Sequence, residues 1–294
     1  MSQITAIPLT GTLDRPALVG TTPRPFQAAL SWSVAVAAAV CLAATLLLLH
    51  AGGRIFVVET PSMGEAAPVG TLIIDMPVNH TSLRVGDIVS FQVPANPSVV
   101  YTHRIIAIDA AGGIHTRGDV NGATDPWTLT QDNLVGAPAA LIPHLGWLFR
   151  AIPILLIGNM LIWVLTSPFS DRVTRSSLRV AGAATTAAYA AFLLKPFVHV
   201  TTIANTATVR NVDATVISSG IFPVHVSARG GNSIHLVDGQ VGHLAIHELT
   251  RNGQYQITST IDLDVAGWVA LITICLIPLI WCLAIGRRTV VRPA

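Results

Sequence analysis

Four apolar runs constrain this chain before anything else does. They cover 30–50, 147–166, 180–198 and 265–286, and each approaches the ~20 residues that a helix needs to cross a bilayer. Only 11% of the 294 residues are charged, against about 25% in soluble domains, so the sequence predicts a membrane protein with four transmembrane helices. Arg150 and Lys195 fall inside the second and third runs, close to one end, where a long side chain reaches the headgroups. The first run exceeds the ~7–15 apolar residues of a cleavable signal peptide and is followed by a poor cleavage site, "LLHAGG". It reads as an uncleaved anchor.

Basic residues in short segments orient the helices. Arg15 and Arg24 precede the first run. Arg172, Arg175 and Arg179 lie in the 167–179 loop, and Arg287, Arg288 and Arg292 in the 287–294 tail. With four helices all three segments share one side, which predicts both termini in the cytoplasm of a multi-pass plasma-membrane protein. Residues 1–29, with Pro8, Pro16, Pro23 and Pro25, read as a flexible cytoplasmic arm. Residues 51–146 and 199–264 are then extracytoplasmic. The three cysteines, Cys41, Cys275 and Cys282, lie in apolar runs, which argues against a disulfide framework. A net charge of +2 without a basic run argues against nucleic acid as a partner.

Both regions between helices read as short strands, so the fold class expected is a membrane α+β protein. In 51–146, "GTLIIDMPV", "DIVSFQVP", "VVYTHRIIAIDA" and "GIHTRGD" are β-branched or aromatic runs separated by turn residues, with Gly86-Asp87 leading one strand as a turn. Alternation places Tyr101, His103, Ile105 and Ala107 on one strand face. In 199–264, "ATVRNVDATVISSGIFPVHVSA", "SIHLVDGQVGHLAIHEL" and "YQITSTIDLDV" form a second, smaller β-rich region carrying His225, His235, His243 and His247. The i,i+4 spacing of His243 and His247 suits a metal only on a helix. On a strand it marks surface or interface histidines, so neither a metal nor another cofactor is expected.

Four polar features stand out in the first β region: Ser62 in "ETPSMG", the "LRVGDIVSF" box, His103 in "VVYTHRI", and Asp119 and Asp125 in "RGDVNGATDPW". Singly, each reads as an ordinary turn or strand residue. Jointly they supply a hydroxyl, a base and carboxylates. A serine hydroxyl is a poor nucleophile without a base. A histidine, with an ordinary pKa near 6.5, can serve, and a carboxylate holds its tautomer. The chain has no lysine before Lys195, which rules out a serine–lysine pair in 51–146.

The succession of anchor, "SM", "LRVGDIVSF", "VVYTHRI", "TRGDVNGATDP" and "LVGAPAALIPHLGWLF" resembles type I signal peptidases, the membrane serine proteases that remove signal peptides from exported proteins. The resemblance covers about residues 54–166 and is to the members with histidine in place of lysine. It implies Ser62 as nucleophile, His103 as general base and then acid, Asp125 as first choice to orient His103, and Asp119 as support. It implies further that the Thr60 hydroxyl and the Ser62 backbone N–H form an oxyanion hole. The partners it implies are signal peptides of preproteins, the bilayer and the secretion translocon. One departure is the longer loop after the nucleophile, "GEAAPVG". Two other readings stand beside this one: a non-catalytic membrane assembly or adhesion protein on the same fold, and a processing peptidase dedicated to one secreted or surface-fibre protein.

Overall fold

A computed structural model describes residues 25–195, 197–207, 212–247 and 254–290. The expected arm, apart from 25–29, and the end of the tail with Arg292 lie outside the described residues. Helix α1 (Pro25–His50) is a unit by itself. Among the described residues three helices are long and apolar enough to cross a membrane, within α2 (Leu145–Thr166), α3 (Arg172–Leu194) and α4 (Val265–Val290). The fourth expected span falls on α1, whose apolar helical stretch, Ala35–His50, is shorter.

Helix α3 begins eight residues before the apolar run that predicted it. Asp171 caps it, its carboxylate accepting from the amides of Val173 and Thr174, and this cap satisfies donors that a helix start leaves unpaired. The arginine-bearing stretch after Asp171 is therefore helical, and the connection to α2 shrinks to 167–171. At its other end α3 stops at Lys195, which adopts a left-handed conformation (φ 50°), followed in sequence by a proline that disfavours helix in the residue before it. Lys195 thus caps the helix from outside. Helices α2 and α3 pack through small residues: a Cβ on Gly158 would meet Thr186 at 2.3 Å and one on Gly182 would meet Ile162 at 2.3 Å, the close approach that small residues permit between membrane helices.

The first β region is one antiparallel sheet. Its strands are β1 (Arg54–Val57), β2 (Leu72–Met76), β3 (Ile88–Val93), β4 (Asn96–Ile108), β5 (Ile114–Arg117) and β6 (Leu134–Ile142), in the order β1-β2-β6-β3-β4-β5. Leu83, Val89, Phe91, Val93, Ile105, Ile114 and Leu129 form its core. On β4, His103 and Ile105 share the buried face as the alternation requires, but a register shift between Ile105 and Ala107 leaves Ala107 exposed. Strand β6, "LVGAPAALI", carries Gly, Pro and three Ala, residues depleted from strands; it is held by pairing on both sides, to β2 and β3.

Strand β6 enters α2 through His144, itself left-handed (φ 62°). The first turn of α2 is then pinned to the first β region by Gly146 N–H donating to Gly70 O at 2.8 Å.

The second β region has two three-stranded antiparallel sheets. One is β11-β8-β7, from β7 (Val200–Ala207), β8 (Val212–Ser218) and β11 (Val241–Ile246). The other is β10-β9-β12, from β9 (Val224–Ala228), β10 (Ser233–Leu236) and β12 (Ile257–Ile261). Val212, Ala214, Val216, Val224, Val226, Leu244 and Ile246 from both sheets form one core. His243 lies on β11 and not on a helix, so the metal-like spacing with His247 is not helical. His225 and His235 sit opposite each other on β9 and β10.

Candidate active site

The chain leaves β1 and turns at once. Thr60 is extended, and Pro61–Ala66 winds a short 3-10 turn that lifts Ser62 toward β4. Proline fits the first position of such a turn because its fixed φ suits it and its missing N–H would have been unpaired. His103 comes from the buried face of β4 and is 4% exposed. Its ring is walled by Phe91 and Tyr101, with centroids 6.1 and 5.3 Å away. Nε2 of His103 lies 3.1 Å from Ser62 Oγ, and Nδ1 lies 2.8 Å from Asp125 Oδ2. Hydroxyl, imidazole and carboxylate form one hydrogen-bonded row.

The carboxylate has its own support. Thr116 on β5 is fully buried, its hydroxyl donates to Asp125 Oδ2 at 2.6 Å, and its carbonyl accepts the Asp125 N–H at 2.9 Å. Little in the sequence marks Thr116. The one available signal is its alternation with inward-facing Ile114, which marks position but not purpose.

The two candidate aspartates are separated by their partners. Asp119 takes a bidentate contact from Arg104, at 2.8 Å from Nε and 2.6 Å from Nη2, and Arg104 Nη1 also donates to Gly86 O at 2.9 Å. The hydrogen bond to Asp119 raises the Arg104 pKa above its ordinary value. Asp119 is thus committed to the residue beside His103 in sequence, on the other strand face. Its loop nevertheless reaches the serine, because Val120 N–H donates to Ser62 O at 3.0 Å and a Cβ on Gly118 would stand 2.7 Å from that same oxygen.

Thr60 Oγ1 lies 3.5 Å from Ser62 Oγ. After Ser62 the extra residues fold back rather than extend. Gly64 takes φ 53°, Ala67 to Gly70 are buried, and Gly70 N–H reaches Val58 O while Val58 N–H reaches Thr71 O, both at 2.9 Å. The long loop closes the return from β1 to β2.

A buried imidazole between a hydroxyl and a carboxylate is an arrangement that serine hydrolases use. The family model described as signal peptidase, peptidase S26, matches residues 29–112, and over that segment the resemblance to type I signal peptidases is borne out. The match includes Ser62 and His103 and stops before Asp119 and Asp125. It supports a serine peptidase of signal-peptidase type that processes substrates bearing signal peptides. No curated protein matches the chain.

Proposed function

We propose that this protein is a membrane-bound serine endopeptidase that removes signal peptides from exported proteins, with Ser62 as nucleophile, His103 as base and acid, and Asp125 as the orienting carboxylate. The observation that carries it is the continuous row from Ser62 Oγ through His103 to Asp125 within and just beyond a segment of signal-peptidase type.

His103 Nε2 accepts the Ser62 proton as Oγ attacks the scissile carbonyl. Asp125 accepts the Nδ1 hydrogen, fixes the tautomer and stabilises the imidazolium. His103 then protonates the leaving amine, and the peptide's acyl group remains on Ser62 as an ester. Water, deprotonated by His103, attacks the ester; the acid leaves and the His103 imidazolium returns the proton to Ser62 Oγ. The tetrahedral oxyanion of each step is met by the Thr60 hydroxyl and the Ser62 N–H. Asp119 supports the site indirectly by bracing Arg104 and the loop that holds the Ser62 carbonyl. These steps need no cofactor.

In this reading all four helices cross the plasma membrane, both termini are cytoplasmic, and both β regions are outside. Eleven residues separate His50 from Ser62, so an extended peptide leaving the bilayer or a neighbouring translocon meets the site directly, adding to a strand edge. The test is incubation of a model preprotein with the full chain in liposomes, followed by N-terminal sequencing of the product. Cleavage after a small residue, absent in Ser62→Ala, supports the peptidase. Unchanged processing in Ser62→Ala would move the nucleophile elsewhere, and no processing by the wild-type chain would leave an assembly or adhesion role for the fold.

A further inference from the structure

We infer that the β10–β11 turn of the second β region, residues 237–240, is a positioning element of the active site that holds the Ser62 loop in place. This rests on the reading of Ser62 as nucleophile, and it gives both the long loop after Ser62 and the second β region a part in that chemistry.

The contact is backbone against backbone. A Cβ on Gly239 would stand 2.7 Å from Gly64 O and 2.8 Å from Glu65 Cα, distances that side chains do not tolerate. Gly64, two residues after the nucleophile, is pressed by a second neighbour as well, since its own Cβ would meet Val120 at 2.7 Å and Gly239 O at 3.3 Å. Both glycines have positive φ, 53° and 77°, so the approach depends on two positions that L side chains occupy only under strain. The Ser62 loop is therefore held by the loop of Val120 and by the turn of Gly239. The three segments share one cleft of ≈ 440 Å³, lined among others by Met63, Glu65, Asp119 and Gln240.

The turn is itself tied down. Gly239 N–H donates to Ser218 O at 2.9 Å, Ser218 N–H to Gln240 O at 3.1 Å, and Gln240 N–H to Val237 O at 3.0 Å. The Gln240 side chain closes the turn by accepting from Val237 N–H at 3.1 Å. Asp238 faces the far side, its Oδ2 3.4 Å from His144 Nδ1, just ahead of the α2 turn that is bonded to Gly70. The second β region thus touches the long loop near its start, at Gly64 and Glu65, and stands against the residue that leads into the clamp on its end. Fixing a nucleophile to within a fraction of an ångström is what second-layer contacts of this kind contribute.

The experiment measures kcat and KM on a model preprotein for wild type, Ser62→Ala, Gly239→Ala, Gln240→Ala and Gly112→Ala, together with disulfide formation in Glu65→Cys/Gln240→Cys. Gly112 has φ 86° and meets only His80 Nε2, at 4.0 Å, from its Cβ position, so it reproduces the backbone strain without the collision. Expected are a tenfold or greater fall in kcat with KM within threefold for Gly239→Ala, a smaller fall of the same kind for Gln240→Ala, rates within threefold of wild type for Gly112→Ala, and rapid cross-linking with activity retained. Gln240→Ala removes one turn contact without strain and keeps the test valid where Gly239→Ala fails to fold. Wild-type kcat in both turn variants, or no cross-link, overturns the inference. Undiminished cleavage by Ser62→Ala overturns instead the serine chemistry beneath it.

Discussion

His103 and Asp125 meet across a hydrogen bond of 2.8 Å with only 5% and 8% of their side chains exposed. Asp119, which lies closer to His103 in sequence, is bound to Arg104. The two carboxylates therefore separate experimentally. Asp125→Asn keeps the shape but loses the acceptor that fixes the imidazole tautomer, and kcat should fall by about 10³–10⁴-fold. Asp119→Asn should lower kcat by less than about tenfold, because it loosens a partly exposed ion pair. Measured kcat values in the reverse order would reassign the orienting role.

Thr60 is expected to act only in the transition state. Thr60→Val should lower kcat by about 10²–10³-fold with little change in KM, the usual cost of one oxyanion donor. Thr60→Ser should restore most of the rate. Equal activity in both variants would remove the hydroxyl from the oxyanion site.

Gly70 supports the site from behind. It has φ 88°, and a Cβ there would stand 2.0 Å from Trp147 Nε1, where α2 docks on the sheet. Gly70→Ala should destabilise the protein by about 2–4 kcal/mol through backbone strain and overpacking. Thermal unfolding in detergent reads this directly, and an unchanged midpoint would show that α2 docks elsewhere.

Asp238 makes stability depend on pH. Burial pushes its carboxyl up to about 6, against the opposing influence of His144. A carboxyl raised on folding favours the protonated form in the native state. Its contribution is complete below its ordinary pKa near 3.8 and is lost as pH rises to about 6. Above that the buried charge costs on the order of 2–3 kcal/mol. Asp238→Asn should therefore raise the unfolding midpoint at pH 7–8 and flatten its pH dependence between 4 and 6. Destabilisation by Asp238→Asn at pH 8 would show that the buried Asp238 carboxylate is net favourable there.

Much of this was legible in the sequence because it follows from residue type and period. Apolar runs located α2 and α4, alternation turned His103 inward on β4, and the lack of lysine before Lys195 left a histidine as the candidate base. What escaped was set by pairing across the fold. Strand β6 exists because β2 and β3 flank it, despite its Gly, Pro and Ala. The start of α3 is fixed by the Asp171 cap and not by hydropathy. Thr116 and the Gly64–Gly239 contact depend on neighbours distant in the chain, and no local pattern announces them.

Acid-quenched mass spectrometry of the full chain mixed with a slowly turned-over peptide ester looks straight at the covalent step proposed for Ser62. An acyl adduct is expected that maps to Ser62 and fails to accumulate in Ser62→Ala and His103→Ala. Turnover with no adduct on Ser62, or an adduct mapping to another residue, would contradict it.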